Sequence, residues 1–279
     1  MKTIANILIL SFLAGCLISC AHKQSESYDK VIIQSIEPDI SFAELKQSSQ
    51  IISERLKTYG IKPFKISVAE NKSQINLQLP KNIDQPEIER LFTSKGELFF
   101  YETLTLSNIA DSIKSDSIFD PLDARIGCSN YEDPDMKSKV VEYLKAKSLY
   151  SNCTLLWSIK NDEALTCLYA LKLNESGGPL LTKADIESIK SIQNKDNSFT
   201  LELRFQQRVA QILKHSTTAN INRPIAIVID NKVFYTPVVR STIENGICEI
   251  TGNLTQKEDK LFLALVNNDP LPTYLKLLK

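Results

Sequence analysis

Cysteine and histidine offer the most reactive side chains in this chain, and both are scarce. The 279 residues include six Cys and two His, which are His22 and His215. No pair of them has the C-x-x-C or Cys/His spacing typical of zinc sites or redox catalysis. An acidic cluster, Glu132, Asp133 and Asp135, lacks the further oxygen ligands and the central Gly of a calcium loop, so a solvated loop is the preferred interpretation.

The sequence also lacks the short motifs of common catalytic sites. G-x-S-x-G, H-E-x-x-H and Gly-rich phosphate loops are absent. His215 is predicted near the end of a helix, with no recognisable nucleophile or Asp partner around it. Trp157 and Tyr169 have the size to line a groove, but core packing is the preferred interpretation. We therefore predict no catalytic residue, no metal ligand and no cofactor, and we expect that the protein is not an enzyme.

Two cysteines lie at the end of an N-terminal export signal. Lys2 is followed by the apolar run TIANILILSFLAG, which is too short for a comfortable membrane span. The stretches LAGC and LISC, ending in Cys16 and Cys20, resemble the lipobox of bacterial lipoproteins, in which the cysteine becomes the lipidated N-terminus. Cys20 is preferred because the polar run AHKQSESYDK follows it. Cys16 matches the pattern better and stays an alternative, as does a plain signal peptide with incidental cysteines.

The four remaining cysteines would enter a compartment in which disulfide bonds persist. They are Cys128, Cys153, Cys167 and Cys248, and they allow three complete pairings. Cys128 and Cys153 lie in the least regular part of the sequence and are predicted to form the bond. Cys167 and Cys248 fall in strand-like runs, where a buried free thiol is at least as favoured.

Composition and charge limit the class of partner. The formal charge is 33 − 33 = 0, which disfavours nucleic acid as a partner because phosphate binding requires excess Lys and Arg. Hydrophobic residues make up 43% of the chain and charged residues 24%, as in a globular protein with a core. No later apolar run approaches the roughly 20 residues of a spanning helix. Membrane contact is therefore expected through the lipid anchor only.

The first hundred residues predict strands and helices in the order β-α-β-β-α-β, which is the ferredoxin-like arrangement. Ser41 and Glu44 form a capping-box signature at the first helix, and Gly60 occupies the position of a left-handed C-terminal cap. Hydrophobic periodicity gives the strands as 31–36, 64–69, 74–79 and 97–104, and the second helix as 85–94.

The pattern weakens after residue 105 and returns near residue 180. Asp230-Asn231 is predicted to be a tight hairpin turn, and Thr255 with Glu258 forms a second capping box. The predicted elements are a helical turn or two within 182–190, capped by Thr182, helices over 207–219 and 255–267, and strands over 199–205, 225–229, 232–239 and 247–251.

Several of these segments carry a family resemblance when they are taken in order. SQIISERLKTYGIKPFKISVAENKSQINLQLP (49–80) and GELFFYE (96–102) resemble the start of the first periplasmic domain of the SecD and SecDF export proteins. NCTLLWSIK (152–160) and CLYALKLNESGGPLLTKADI (167–186) fit its middle, and the stretch from Arg223 to Leu278 is similar to its end. The resemblance implies an α+β fold, in which a ferredoxin-like base carries an inserted α+β head subdomain.

The resemblance and the N-terminal motif together predict the domain organisation. A signal peptide (1–19) and a tether (20–28) precede the base (29–105) and the head (106–279), whose C-terminal stretch packs back near the base. Family members continue into membrane helices, whereas this sequence ends at Lys279. We therefore expect a stand-alone lipoprotein in the bacterial cell envelope, facing the periplasm, with the outer membrane slightly favoured.

The expected function is the binding of polypeptides without catalysis. The resemblance implies unfolded or envelope polypeptides as partners, with the protein-export machinery as a further candidate partner. Two alternatives stay open from the sequence. The first is an enzyme with an unrecognised site in the head, and the second is a pure scaffold protein.

Overall fold

The structure is a computed structural model of the whole chain. It describes residues 28–69, 73–81, 83, 85–104, 125–129, 135, 138–139, 141–142, 152–159, 165–196, 198–252 and 254–278. The predicted signal peptide and tether lie almost wholly outside these ranges. In the part of the chain that is described, no helix is both long and apolar enough to cross a membrane.

The base is a four-stranded antiparallel sheet covered by helices. Its strands lie in the order β14-β1-β3-β2, the strand order of a ferredoxin-like fold. The strands are β1 (Tyr28–Ser35), β2 (Lys65–Ala69), β3 (Gln74–Pro80) and β14 (Leu275–Leu278), and the helices between them are α1 (Phe42–Tyr59) and α2 (Gln85–Thr93). The predicted fold class is therefore confirmed.

The prediction that residues 31–104 complete this sheet by themselves is wrong in one strand. Leu275–Leu278 pairs with β1 as the fourth strand, whereas β4 (Leu98–Leu104) joins a sheet of the head. β4 has buried residues on both of its faces, as a central strand between two layers requires. The base is thus built from the two ends of the described chain, and the head is inserted before its last strand.

Local capping signals place the helices as predicted. At the start of α1, the Ser41 hydroxyl accepts a hydrogen bond from the Glu44 amide (3.2 Å), and the Glu44 carboxylate accepts one from the Ser41 amide (3.0 Å). Gly60 ends this helix with a φ of 98°, which an L side chain rarely adopts. Thr255 and Glu258 form the same reciprocal pair at the start of the last helix.

The larger sheet of the head has the strand order β12-β11-β4-β7-β5. β6 pairs with the edge of β7 that is opposite to β5, and β8 pairs with β4. The strands beyond β4 are β5 (Arg125–Ser129), β6 (Cys153–Trp157), β7 (Thr166–Lys172), β8 (Leu181–Thr182), β11 (Ile225–Ile229) and β12 (Lys232–Tyr235).

A second head sheet has three strands in the order β13-β10-β9. They are β9 (Ile186–Gln193), β10 (Phe199–Phe205) and β13 (Ile247–Gly252), accompanied by α3 (Ala210–Ala219) and α4 (Gln256–Val266). The helical turn or two predicted over 182–190 is present only as a single 3-10 turn, Lys183–Asp185, which follows Thr182 as its N-cap as expected. The rest of that range is wrong, because Ile186–Gln193 forms β9 and pairs with β10 along its length.

The predicted Cys128–Cys153 disulfide bond is also wrong. Cys128 and Cys167 face each other on β5 and β7, and their sulfur atoms are 1.99 Å apart. Cys153 lies on β6, on the opposite edge of β7, where it pairs with Lys172. Because that position is five residues along β7 from Cys167, roughly 16 Å at the usual strand rise, Cys153 cannot reach Cys128.

Base and head share one continuous hydrophobic core. Ile33 and Ile52 in the base belong to the same buried cluster as Leu203, Ile227 and Phe262 in the head. The head is therefore packed onto the base and not simply tethered to it.

Arg55 of α1 organises the junction between the two parts. This side chain is completely buried and donates to three backbone carbonyls: Leu91 (3.0 Å), Ser94 (2.5 Å) and Lys95 (2.6 Å). Burial lowers the pKa of its guanidinium to about 10, against the opposing effect of Asp230, so it stays charged at neutral pH. Gly96 follows directly with a φ of 85°, and a Cβ atom there would lie 2.5 Å from Arg55 Nη2.

Candidate binding groove

A groove of about 510 Å³ opens in the head between its two sheets. On one side it is lined by β4 and β11, including Phe100 and Ile227, and on the other by the end of β10 and by β13, including Ile250. Leu213 and Thr217 of α3 close one end. The lining is more apolar than polar and includes the charged residues Arg240, Glu244 and Glu249, and its volume lies in the ordinary range of protein binding sites.

The connection between β12 and β13 forms the outer wall of the groove. Residues 237–245, called here the rim segment, all line it. Next to α3, the Ile243 amide donates to the Thr217 hydroxyl (3.0 Å), which itself donates to the Leu213 carbonyl (2.7 Å). Lys214 and Glu244 form an ion pair at 3.5 Å.

The other part of the rim segment is attached by backbone hydrogen bonds. The Val239 amide donates to the Arg223 carbonyl (2.9 Å), and the Asn222 amide donates to the Val239 carbonyl (2.8 Å). The Ile225 amide donates to the Pro237 carbonyl (3.1 Å). Because the wall is hydrogen-bonded on both sides, the groove exists before any ligand binds. Ligand binding therefore costs little conformational entropy of the rim segment.

Cys248 is the only thiol among the residues that line the groove. Burial, reinforced by the neighbouring Glu249 carboxylate, raises the pKa of its thiol to about 11. A thiol with this pKa is protonated at neutral pH and is a poor nucleophile. The arrangement is therefore suited to holding apolar side chains and not to covalent chemistry.

The sequence-predicted candidates lie elsewhere. Cys16, Cys20, Glu132 and Asp133 fall outside the described residues. Asp135 and His215 are exposed, and His215 lies in the middle of α3 and not near its end as predicted. Tyr169 and Trp157 pack in the hydrophobic clusters of the larger head sheet, so the core interpretation is confirmed for both. Across the described ranges, no three His, Cys, Asp or Glu side chains come together as a metal site.

Sequence reasoning missed the groove itself. Its lining combines Phe100 of β4 with residues of α3, β11 and β13, which are more than a hundred positions away. Each of these apolar residues belongs to a regular strand or helix pattern and is predicted simply as core. A sequence signal was available only in the rim segment, where Ile243 interrupts the polar run from Arg240 to Asn245.

The fold defines the class of protein: an α+β domain in which a ferredoxin-like base carries an inserted head. A crystal structure of SecDF in a super-membrane-facing form shares this fold. The TM-score is 0.50 at 18% identity, and the match covers 91% of this chain and 30% of that chain.

The family is indicated by comparisons of sequence. Residues 169–273 match the family model "SecDF, P1 head subdomain". The protein translocase subunit SecD of Calditerrivibrio nitroreducens is 25% identical over 257 residues, which cover 91% of this chain and 44% of that protein. The same subunit of Petrotoga mobilis is 25% identical over 208 residues, covering 75% and 40%. The predicted resemblance to the SecD/SecDF periplasmic domain is confirmed, and the chain spans less than half the length of these relatives.

Proposed function

We propose that this protein is a non-enzymatic binding module of the bacterial envelope, which holds extended polypeptide segments in the groove of its head. The groove is the observation that carries the proposal. It is preformed, more apolar than polar and open to solvent, and its outer wall carries the exposed Val238. Such a site suits the aliphatic side chains that an unfolded chain exposes and a folded protein buries.

An accessory role in protein export is the biological setting that we propose. The curated relatives are named as protein translocase subunits, and most of the groove falls in the segment that matches the SecDF head model. A module that binds an emerging chain would disfavour its backward movement by mass action, with no chemical step of its own. The export machinery is accordingly the proposed second partner.

Attachment to the membrane is proposed to occur through a lipid on Cys20, with Cys16 as the alternative. Support comes from the N-terminal sequence, in which an apolar run ends in two lipobox-like stretches. The head and base would then face the periplasm at the surface of the outer membrane. A single-surface anchor of this kind leaves the groove accessible to chains in solution.

Binding to an unfolded chain tests the proposal directly. The probe is a reduced, carboxymethylated protein that cannot refold, labelled for fluorescence anisotropy, with its native form as the folded comparison. We expect a Kd in the micromolar range or weaker for the unfolded form, as is common for small transient surfaces, and no binding of the native form.

The variant Val238→Glu places a charge in the groove wall without disturbing the core, since Val238 is 40% exposed. We expect binding to weaken at least tenfold, because a carboxylate facing aliphatic side chains loses hydration. The matched control is Ile192→Glu on β9, a residue that is 45% exposed and lies outside the groove. Equal losses in the two variants, or binding of native and unfolded chains alike, would contradict the proposal. Turnover of a small molecule in this groove would favour the enzyme alternative.

A further inference from the structure

The strand that lines one side of the groove has a free edge. β13 is the outermost strand of its sheet, and in the described chain β10 is the strand that pairs with it. Residues Ile247, Glu249 and Thr251 of this strand all line the groove. A free edge beside an apolar groove presents two kinds of binding group together, backbone donors and acceptors next to space for side chains.

The direction of the backbone groups follows from the register of β10 and β13. The Phe205 amide donates to the Gly246 carbonyl at 2.8 Å. Because hydrogen-bonded pairs alternate along an antiparallel ladder, Cys248 and Ile250 also use their backbone groups to bond β10. The N–H and C=O groups of Ile247, Glu249 and Thr251 therefore point away from β10, toward the free edge.

The side chains of β13 alternate in the same register. Ile250 is buried on the inner face with Leu201, and Cys248 lies beside Leu203 on that face. Glu249 is exposed on the outer face. A strand added to the free edge would continue this alternation, so every second side chain would enter the groove and the others would face solvent.

Two carboxylates are directly opposed on the outer face at this edge. Glu249 is opposite Glu202 on β10, and Glu202 is opposite Lys190 on β9. Lys190 and Arg204 lie beside Glu202 on the same face, but the direct cross-strand neighbour of Glu249 is a like charge, which is unfavourable. A basic residue on an added strand, placed opposite Glu249, would relieve this repulsion.

We infer that the groove takes its polypeptide as an antiparallel β-strand added to the free edge of β13. The favoured segment alternates aliphatic side chains, which enter the groove, with outward-facing residues that include Lys or Arg opposite Glu249. This inference rests on the proposed function and adds the mode of recognition to it. A second copy of this chain fits less well, because two β13 strands paired about Glu249 would place one Glu opposite another.

Backbone methylation of a peptide tests the strand geometry. The parent is a nine-residue fluorescein-labelled peptide that alternates Val with polar residues and carries a central outward-facing Lys. One derivative has N-methyl groups at two outward-facing positions, whose N–H groups would donate to β13 in an antiparallel pair. The other has them at two Val positions, whose N–H groups would point away. Fluorescence anisotropy measures binding to the full mature protein.

We expect the first derivative to bind at least tenfold more weakly than the parent, and the second to stay within threefold of it. Replacing the central Lys by Glu should also weaken binding. If the parent binds and the two derivatives bind equally, or the order of loss is reversed, antiparallel addition to β13 is wrong while polypeptide binding stands. If the parent and the unfolded protein both fail to bind, the proposed function fails as well.

The protein side offers a matching variant. Glu249→Pro removes the backbone N–H of residue 249, which points to the free edge of β13. An edge strand accommodates proline at such a position, because its hydrogen bonds to β10 do not use that N–H. Glu249→Ala removes the same carboxylate and keeps the N–H, so the difference between the two variants isolates the backbone donor. We expect Glu249→Pro to lose at least fivefold more affinity than Glu249→Ala. Equal affinities would overturn the inference, and the peptide pair decides it if the proline variant fails to fold.

Discussion

A single guanidinium group stabilises the turn at which the chain leaves the base for the head. Arg55 gives charged hydrogen bonds to three carbonyls at the end of α2 and in the turn to β4, and the Lys95 carbonyl also accepts from the Leu271 amide (2.8 Å). A buried charge of this kind costs desolvation free energy, and its removal takes the guanidinium donors from the Leu91 and Ser94 carbonyls.

The variant Arg55→Met keeps much of the side-chain volume and removes all of these donors. We expect the free energy of unfolding to fall by about 3 kcal/mol, as is typical when one partner of a buried charged network is lost. Urea unfolding monitored by circular dichroism measures the change.

The control for Arg55→Met is Arg208→Met. Arg208 also donates to carboxylate and carbonyl oxygens, of Asp185 and Ala184, but its side chain is 58% exposed. Exposed ion pairs contribute little, so we expect a loss of less than about 1 kcal/mol. A similar loss in both variants would mean that the Arg55 network is not specifically important.

At the residue scale, local interactions could be predicted from the sequence and long-range pairings could not. The capping boxes at Ser41 and Thr255 were predictable because each depends on residues three positions apart. The partner of Cys128 was not predictable, because Cys128 and Cys167 are 39 residues apart in the sequence and the register of their two strands is set by tertiary packing.

At the scale of elements, the local identity of most strands and helices is predictable and their partners are not. β4 and β14 illustrate the difference. Both are short apolar runs, and periodicity says nothing about which sheet each one joins. β4 lies between β11 and β7 in the head because both of its faces are covered there, and the vacant position beside β1 is taken by β14. The groove escapes prediction for the same reason, since it exists only where β4, β11, β13 and α3 meet.

The role of β14 can be tested with two neighbouring residues. Leu275 is buried opposite Ser35 of β1, whereas Lys276 is exposed opposite Gln34. We expect Leu275→Asp to reduce the free energy of unfolding by about 4 kcal/mol, because it removes a core side chain and buries a charge. Lys276→Asp should cost less than about 1 kcal/mol. Equal effects in urea unfolding would contradict the assignment of β14 as the fourth strand of the base.

At the scale of the whole molecule, the proposed lipid anchor determines at which membrane surface the groove would bind polypeptides. We expect Cys20→Ala to abolish incorporation of an alkyne-labelled fatty acid in cells and to release the protein from the membrane fraction, because the lipid is the proposed attachment. Cys16→Ala should keep both the label and the membrane location. Both variants are compared with the unsubstituted chain by in-gel fluorescence after fractionation.

The reversed result would move the anchor to Cys16. Absence of the label from the unsubstituted chain and from both variants would contradict the lipoprotein proposal.

The pairing of β1 with β14 has a consequence for the order in which the molecule can form. Ser35 and Leu275, which face each other in the base, are separated by 275 − 35 = 240 positions. A chain that crosses a membrane from its N-terminus presents β1 first and β14 last, so the head can fold while one edge of β1 is still open. Contacts between such distant positions close slowly, and an open edge is available to foreign strands in the meantime. Completion of the base therefore requires that the chain has arrived at least as far as Leu278.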